Sequence, residues 1–237
     1  MLLDASSGNT GIAYASVCRS LGLNLTLCLP ENASEERKML LKALGTNIVY
    51  TSPLGSTDEA QEQAQELKNS KPDYYYYADQ YGNAANWQAH YQHTAPEILD
   101  QTDQQITHFV AGLGTTGTFT GTSKRLKEVD EQIKIISLQP DAAMHGMEGW
   151  KHMETAKNPA FYDPELADDN LAISSEAAFD WVKTAADKEG LLISPSSAAN
   201  LAGAYEVAKT IDQGVVVTIF PDNLEKYRDV AQTIFNN

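Results

Sequence analysis

The sequence predicts an α/β fold whose sheets are largely parallel. Short apolar runs rich in β-branched residues alternate with stretches of helical periodicity, and loops rich in Gly, Ser and Thr follow several of the runs. The runs at 24–29, 47–51, 106–111, 134–138 and 215–220 read as strands, with Leu2, Leu3 and Asp4 as the tail end of another. Between them, the 3.6-residue period marks helices over 12–21, 34–44, 57–69, 86–101, 118–129 and 176–189, and an alanine-rich helix follows Ser194. The tyrosines at 74–77 read as strand, because aromatic residues favour a pleated, half-buried surface. Gly82 and Asn83 punctuate the chain after them and place a crossing between two subdomains near Tyr81 to Asn86. Residues 139–171, rich in Met, Gly, Asp and Pro, read as a long irregular loop of the kind that binds ligands.

With 42% hydrophobic and 21% charged residues, the chain has the composition of an ordinary globular protein able to bury a core. Its formal net charge of -15 argues against nucleic acid or an anionic membrane surface as partner, since no basic patch offsets the long-range repulsion. A small-molecule ligand is the expectation. There is neither an apolar run of spanning length nor the basic and apolar pattern of a signal peptide, so the cytoplasm is the expected location. Cys18 and Cys28 fall in a helix and the strand after it and read as buried thiols. His90 and His93 share a helix face without acidic or thiol partners at ligand spacing, which makes them a surface pair and not a metal site.

Three segments carry chemistry. Ser6-Ser7-Gly8-Asn9-Thr10-Gly11 joins a strand end to a helix start, where free N–H groups and the helix dipole favour a carboxylate; an ordinary N-cap is the competing reading. Gly112-Leu113-Gly114-Thr115-Thr116-Gly117-Thr118 likewise leads from a strand into a helix. Its glycines permit close approach, and its hydroxyls and N–H groups can surround phosphate oxygens without a basic side chain. The same loop satisfies GxGxxG, but the strand at 134–138 runs into Gln139 and Pro140 and not into the acidic residue that would take a ribose. Ser194-Pro195-Ser196-Ser197-Ala198-Ala199 opens the alanine-rich helix and by itself reads as a proline-assisted, serine-capped start.

Taken in order, these segments resemble the cysteine synthase and cystathionine β-synthase family of fold-type II pyridoxal-phosphate enzymes. Ser6 to Gly11 is similar to the family's TSGNTG loop, with serine for the leading threonine. Gly114 to Thr118 resembles its GTGGT phosphate cup, with Thr116 in place of a glycine. Gln80-Tyr81, Asn83, Asn86 and Ala95-Pro96-Glu97-Ile98 match the QF-x-N-x-x-N...GPEI stretch, Ser196 to Ala199 the SSGAA segment, and Phe220-Pro221-Asp222 the late FPDG turn. The resemblance spans nearly the whole chain.

The resemblance implies pyridoxal phosphate as cofactor, β-replacement on an activated serine by sulfide, and a homodimer. It also implies a smaller substrate-binding subdomain whose remainder is 1–83 and a larger cofactor-phosphate-binding subdomain over 84–237. By the same resemblance, Asn9 meets the cofactor's ring hydroxyl, and Ser6, Ser7, Thr10 and Gln80 hold the substrate carboxylate. Gly114, Thr115, Thr116, Gly117 and Thr118 bind the phosphate, and Ser196 faces the pyridine nitrogen. Lys151, in the irregular loop, is a further candidate for an anionic substrate group.

In this family the lysine that carries the cofactor lies upstream of the TSGNTG loop, where this sequence has only Met1 to Asp4. Lys38 and Lys42 on the polar side of an amphipathic helix, Lys68 and Lys71 bordering a turn, and Lys124 and Lys127 on a surface helix all read as solvated charges. The expectation is therefore an N-terminally truncated member, without catalytic residue or activity as given. Loss of upstream strands should leave an unpaired sheet edge near Leu2 and Leu3 and exposed apolar surface along the first helix. Two other functions stay open at this point: a nicotinamide-dependent oxidoreductase using the GxGxxG loop, and a binding module that kept the pocket and lost the chemistry.

Overall fold

The computed structural model describes residues 1–6 and 8–235, which divide into two compact units, Met1–Asn83 and Ala84–Asn237. Each is a parallel sheet covered by helices on both faces.

The first unit runs β1 (Leu2–Ala5), α1 (Asn9–Ser20), β2 (Leu25–Pro30), α2 (Glu35–Ala43), β3 (Asn47–Thr51), α3 (Ser56–Ser70) and β4 (Tyr76–Tyr77), with sheet order β3-β2-β1-β4. Alternation along β2 sends Leu25, Leu27 and Leu29 to one face, against Ala15 and Cys18 of α1 and Leu41 of α2. Cys28 joins Leu3 and Ala5 on the other face, against Ala60 and Ala64 of α3. Both cysteines are buried and free. Burial raises the Cys18 thiol, and burial followed by the charge of Asp4 pushes Cys28 up to about 12.

Three expectations are corrected in this unit. β1 is not an unpaired edge: it pairs with β2 from Leu2↔Leu25 to Ala5↔Cys28 and with β4 at Leu2↔Tyr76 and Leu3↔Tyr77. Apolar surface is exposed along the first helix as expected, at Val17 and, just beyond its end, at Leu21 and Leu23, whereas Leu3 is fully buried. Only two of the four tyrosines form strand, because the Tyr74 and Tyr75 N–H groups are turned back to the Lys71 carbonyl at 3.1 and 3.2 Å. Lys38 is no solvated charge. It is buried with Arg37 and Leu41, its ammonium on the Glu31 carbonyl at 3.0 Å and paired with Glu35, while Met39 and Leu40 face outward.

The second unit opens with α4 (Ala85–Ala89), a π-helical turn His90–Thr94 and α5 (Ala95–Gln101), where the sequence predicts one unbroken helix. Pro96 accounts for the break. It has no N–H for the carbonyl four residues back and its ring would crowd it, so the preceding turn widens until the Ala95 N–H reaches His90. There follow β5 (His108–Gly112), α6 (Gly117–Val129), β6 (Lys134–Pro140), β7 (Asp169–Ile173), α7 (Ser175–Glu189), α8 (Pro195–Ala208), β8 (Val216–Thr218) and α9 (Arg228–Phe235), with sheet order β7-β6-β5-β8. Phe109, Ala111 and Ile135 pack under Phe119 and Leu126 of α6 and Ile98 and Leu99 of α5. Val110, Ile136 and Leu138 pack on Ala178 of α7 and Ala199 and Ala202 of α8.

The long segment 139–171 is not wholly irregular, since β7 emerges at its end as an edge strand paired with β6 from Ile136↔Asp169 to Pro140↔Ile173. Its leading Asp169 and Asn170 gave no strand signal, because an edge strand tolerates polar residues that a central one does not. α9 likewise went unpredicted. No helix among the described residues is long and apolar enough to cross a membrane.

Candidate functional site

In parallel α/β sheets, ligands sit beyond the carboxyl ends of the strands, and all three candidate segments follow or contact those ends.

In the first unit, the chain leaves β1 at Ala5 and enters α1 at Asn9 with Gly8 as N-cap and no side-chain cap. Ser6 is buried, and its Oγ accepts the N–H groups of Gly11 at 2.9 Å and Gly8 at 3.3 Å, folding the loop around itself. A side chain at Gly11 would press on Leu27 and the Ser6 carbonyl, so the loop lies tight against the sheet. Asn9 and Thr10 are partly exposed on the first turn; Ser7 lies outside the described residues. Gln80, just past β4, is drawn to the same end. Its N–H donates to Asp4 Oδ2 at 3.2 Å, and its Nε2 donates to the Ala5 carbonyl at 2.6 Å.

Sequence reasoning passed over Asp4. It is fully buried and also accepts the Ala5 N–H at 2.8 Å, which ties the loop after β1 to the loop after β4. Burial pushes its carboxyl up to about 6, against the lowering pull of the Ala5 N–H, the Tyr14 hydroxyl and the Gln80 N–H. Burial and the neighbouring Asp4 raise the Tyr14 phenol in turn. A lone acid inside an apolar strand was the signal available for this residue.

In the second unit, Gly112 to Thr118 wraps the N-terminus of α6. A side chain at Gly112 would overlap the Trp150 ring, one at Gly114 the Gly149 carbonyl, and one at Gly117 the Asn86 amide, so all three glycines are required by close approach. Lys151, buried in the segment 139–171, donates its backbone N–H to the Leu113 carbonyl of this loop at 2.7 Å. Thr116 has φ 65 and ψ -2, a left-handed conformation costly for a β-branched residue, which explains why the related motif carries glycine there. It is 2% exposed, and its Oγ1 has no hydrogen-bond partner among the described residues. α6 has no cap from the Thr116 side chain; the Gly117 N–H meets Thr115 Oγ1 at 3.3 Å, and the N–H groups of Thr118 and Phe119 have no intrahelical acceptor.

An anion with several acceptor oxygens satisfies these donors. The loop therefore fits a phosphate group, with no basic side chain needed.

Ser196 lies in the first turn of α8, nearly buried. Ser194 is the cap: its Oγ accepts the Ser197 N–H at 3.2 Å and meets the hydroxyls of Ser196 and Ser197 at 3.1 and 2.9 Å. Ser197 donates to the Asp222 carbonyl at 2.8 Å, joining this turn to the chain beyond β8. One turn along α8, Asn200 accepts the Gly112 N–H at 2.8 Å and donates to the Ile219 carbonyl at 2.7 Å. The phosphate-fitting loop and the serine turn are thus fixed at one end of one sheet. The expectation of a surface histidine pair is corrected for His90, which is half-buried between Thr94 Oγ1 at 2.9 Å and Thr118 Oγ1 at 3.2 Å.

Residues 1–222 match the family model described as pyridoxal-phosphate dependent enzyme. A cysteine synthase of Aquifex aeolicus is 44% identical over 235 residues, covering 98% of this chain and 72% of the relative. The O-acetylserine dependent cystathionine beta-synthase of Bacillus subtilis is 35% identical over 237 residues, covering 96% and 76%. Among solved structures, the O-acetylserine dependent cystathionine beta-synthase of Helicobacter pylori superposes with a TM-score of 0.90 at 33% identity, over 96% of this chain and 76% of that one.

Proposed function

The chain belongs to the family of pyridoxal-phosphate-dependent enzymes, and from that premise we propose that its loops serve β-replacement on an activated serine, with sulfide as the incoming nucleophile and cysteine as product. Two of the relatives named above are described as O-acetylserine dependent, which supports an acetyl leaving group. When bound, the cofactor supplies the electron sink that lets the bonds at Cα and Cβ of the amino acid break. Gly114, Thr115, Thr116, Gly117 and Thr118 hold its phosphate, Asn9 its ring hydroxyl, and Ser196 its pyridine nitrogen. A neutral serine leaves that nitrogen unprotonated, which favours β-chemistry over transamination.

Thr10 and the N–H groups of the first turn of α1, with Ser6, Ser7 and Gln80, take the substrate carboxylate. The Ser6 oxygen already accepts two N–H groups, so only its proton remains to give. Gln80 is held from behind by Asp4 and Ala5, which keeps the loop in register with Ser6. The nicotinamide alternative finds no support in the relatives, and β6 carries Gln139 and Pro140 at its end and no acidic residue, the Gln139 Oε1 being occupied by the Met153 N–H at 3.1 Å.

The observation that carries this reading is the buried, unpartnered Thr116 hydroxyl at an uncapped helix start. Pyridoxal phosphate should bind the 237-residue chain, and Gly117→Asp, which sets a like charge beside the phosphate, should abolish that binding. Equal affinity in both would refute the assignment.

Residues 1–237 by themselves should form no cysteine. Several lysines are committed elsewhere: Lys68 to the Pro72 and Tyr75 carbonyls, Lys127 and Lys134 to Asp168, Lys209 to Glu206 and Lys226 to Asp222. Incubation with cofactor, O-acetylserine and sulfide, followed by borohydride, should yield neither cysteine nor a unique lysine adduct. A single trapped lysine would identify a catalytic amine within these residues. The homodimer belongs to the same proposal and is read by light scattering.

A further inference from the structure

The proposed phosphate loop is backed by one helix face. Asn86 and His90 stand four residues apart, across the junction of α4 with the π turn, and so project to the same side. Two glycines of α6, also four apart, let that face approach. A side chain at Gly117 would overlap the Asn86 amide, and one at Gly121 the Trp87 carbonyl and the His90 Cβ. Across this contact Asn86 Nδ2 donates to Thr115 Oγ1 at 3.1 Å, and His90 Nε2 meets Thr118 Oγ1 at 3.2 Å. The Gly117 N–H adds a second donor to Thr115 Oγ1 at 3.3 Å.

A hydroxyl has one proton to give and two lone pairs to receive. Thr115, accepting two N–H groups, has only its proton left to offer. His90 extends the same logic to Thr118. Its Nδ1 is 2.9 Å from Thr94 Oγ1, and burial lowers its pKa, so the ring is neutral with a single N–H at pH 7. If Thr94 donates to Nδ1, the proton sits on Nε2, and Thr118 accepts from it and donates outward.

We propose that Asn86 and His90 are positioning residues that orient the Thr115 and Thr118 hydroxyl protons into the loop, making it selective for an anion before any ligand arrives. The inference rests on the phosphate assignment above and deepens it. Neither side chain touches the ligand; each acts through a threonine.

The test compares binding of pyridoxal phosphate with that of pyridoxal, which lacks the phosphate, to the full chain and its variants. His90→Phe keeps ring volume and removes the N–H, and should weaken pyridoxal phosphate about tenfold, the scale of one hydrogen bond to a charged group. Pyridoxal should change less than about twofold. His90→Gln, whose amide can still donate, should recover most of the loss, and Asn86→Leu should repeat the His90→Phe result through Thr115. In a Thr118→Val background, His90→Phe should cost nothing further.

Equal weakening of both ligands would assign His90 a merely structural role and overturn the proposal, as would unchanged pyridoxal phosphate affinity in both His90→Phe and Asn86→Leu. If circular dichroism shows His90→Phe unfolded, Asn86→Leu and His90→Gln decide by the same ratio. Loss in Gly117→Asp with no change in these variants defeats this inference alone. No change in Gly117→Asp defeats the phosphate assignment and this inference with it.

Discussion

Thr116 combines two costs at one residue, a left-handed backbone and a buried hydroxyl without a partner. Both persist because the loop around it is fixed by close approaches at Gly112, Gly114 and Gly117. Thr116→Gly relieves both, and the greater chain entropy of unfolded glycine offsets part of the gain. Without cofactor the variant should be more stable by about 1 kcal/mol in urea titration, while binding pyridoxal phosphate no more tightly. Asp4 makes the opposite kind of statement. Its carboxyl is raised in the fold, so its stabilising contribution is complete below about pH 4 and is lost as pH rises through about 6. The loss amounts to about 3 kcal/mol across that window. Asp4→Asn carries no such titration, so its stability relative to the unsubstituted chain should climb between about pH 4 and 7. Parallel stability curves would show that Asp4 does not bear a buried charge.

Among the elements, the pairing of α4 with α6 matters most for the site. Gly121 faces the Trp87 carbonyl, which belongs to helix backbone and cannot rotate away. Gly121→Ala should therefore separate the two helices, costing roughly 1–3 kcal/mol by thermal unfolding, and should weaken pyridoxal phosphate through the same shift of Asn86 and His90. α8 shows the same device on the other face of the sheet, where a side chain at Gly203 would overlap Leu138 of β6. Its run of alanines leaves no room for larger residues and gives the helix little amphipathic pattern, which is why burial on nearly all sides was not legible from periodicity. α2 misled for the opposite reason. A run of Glu-Glu-Arg-Lys reads as solvated, yet Arg37 and Lys38 are buried and Met39 is not.

For the molecule as a whole, the net charge of -15 sets a self-repulsion that salt should screen. Raising ionic strength should lift Tm by about 2–4 °C, equivalent to roughly 1 kcal/mol for a chain of this size. It should also speed association of the anionic cofactor, and a salt-independent rate would show that the field at the loop is not that of the whole chain. What the sequence determined by itself is whatever depends on neighbours along the chain. Period-two and period-3.6 patterning placed most of the strands and helices, and the anion-fitting loops were visible because glycine, serine and threonine between a strand and a helix state their geometry locally. The order of those loops was enough to indicate the family.

Tertiary structure decided what depends on residues far apart. It put β1 between β2 and β4, made an edge strand of Asp169–Ile173, buried Asp4 against Gln80, and joined His90 to Thr118. Each of these is a hydrogen bond or burial whose partner lies 28 or more residues away or on another element. A side chain's exposure and protonation follow from that partner and not from its neighbours in sequence.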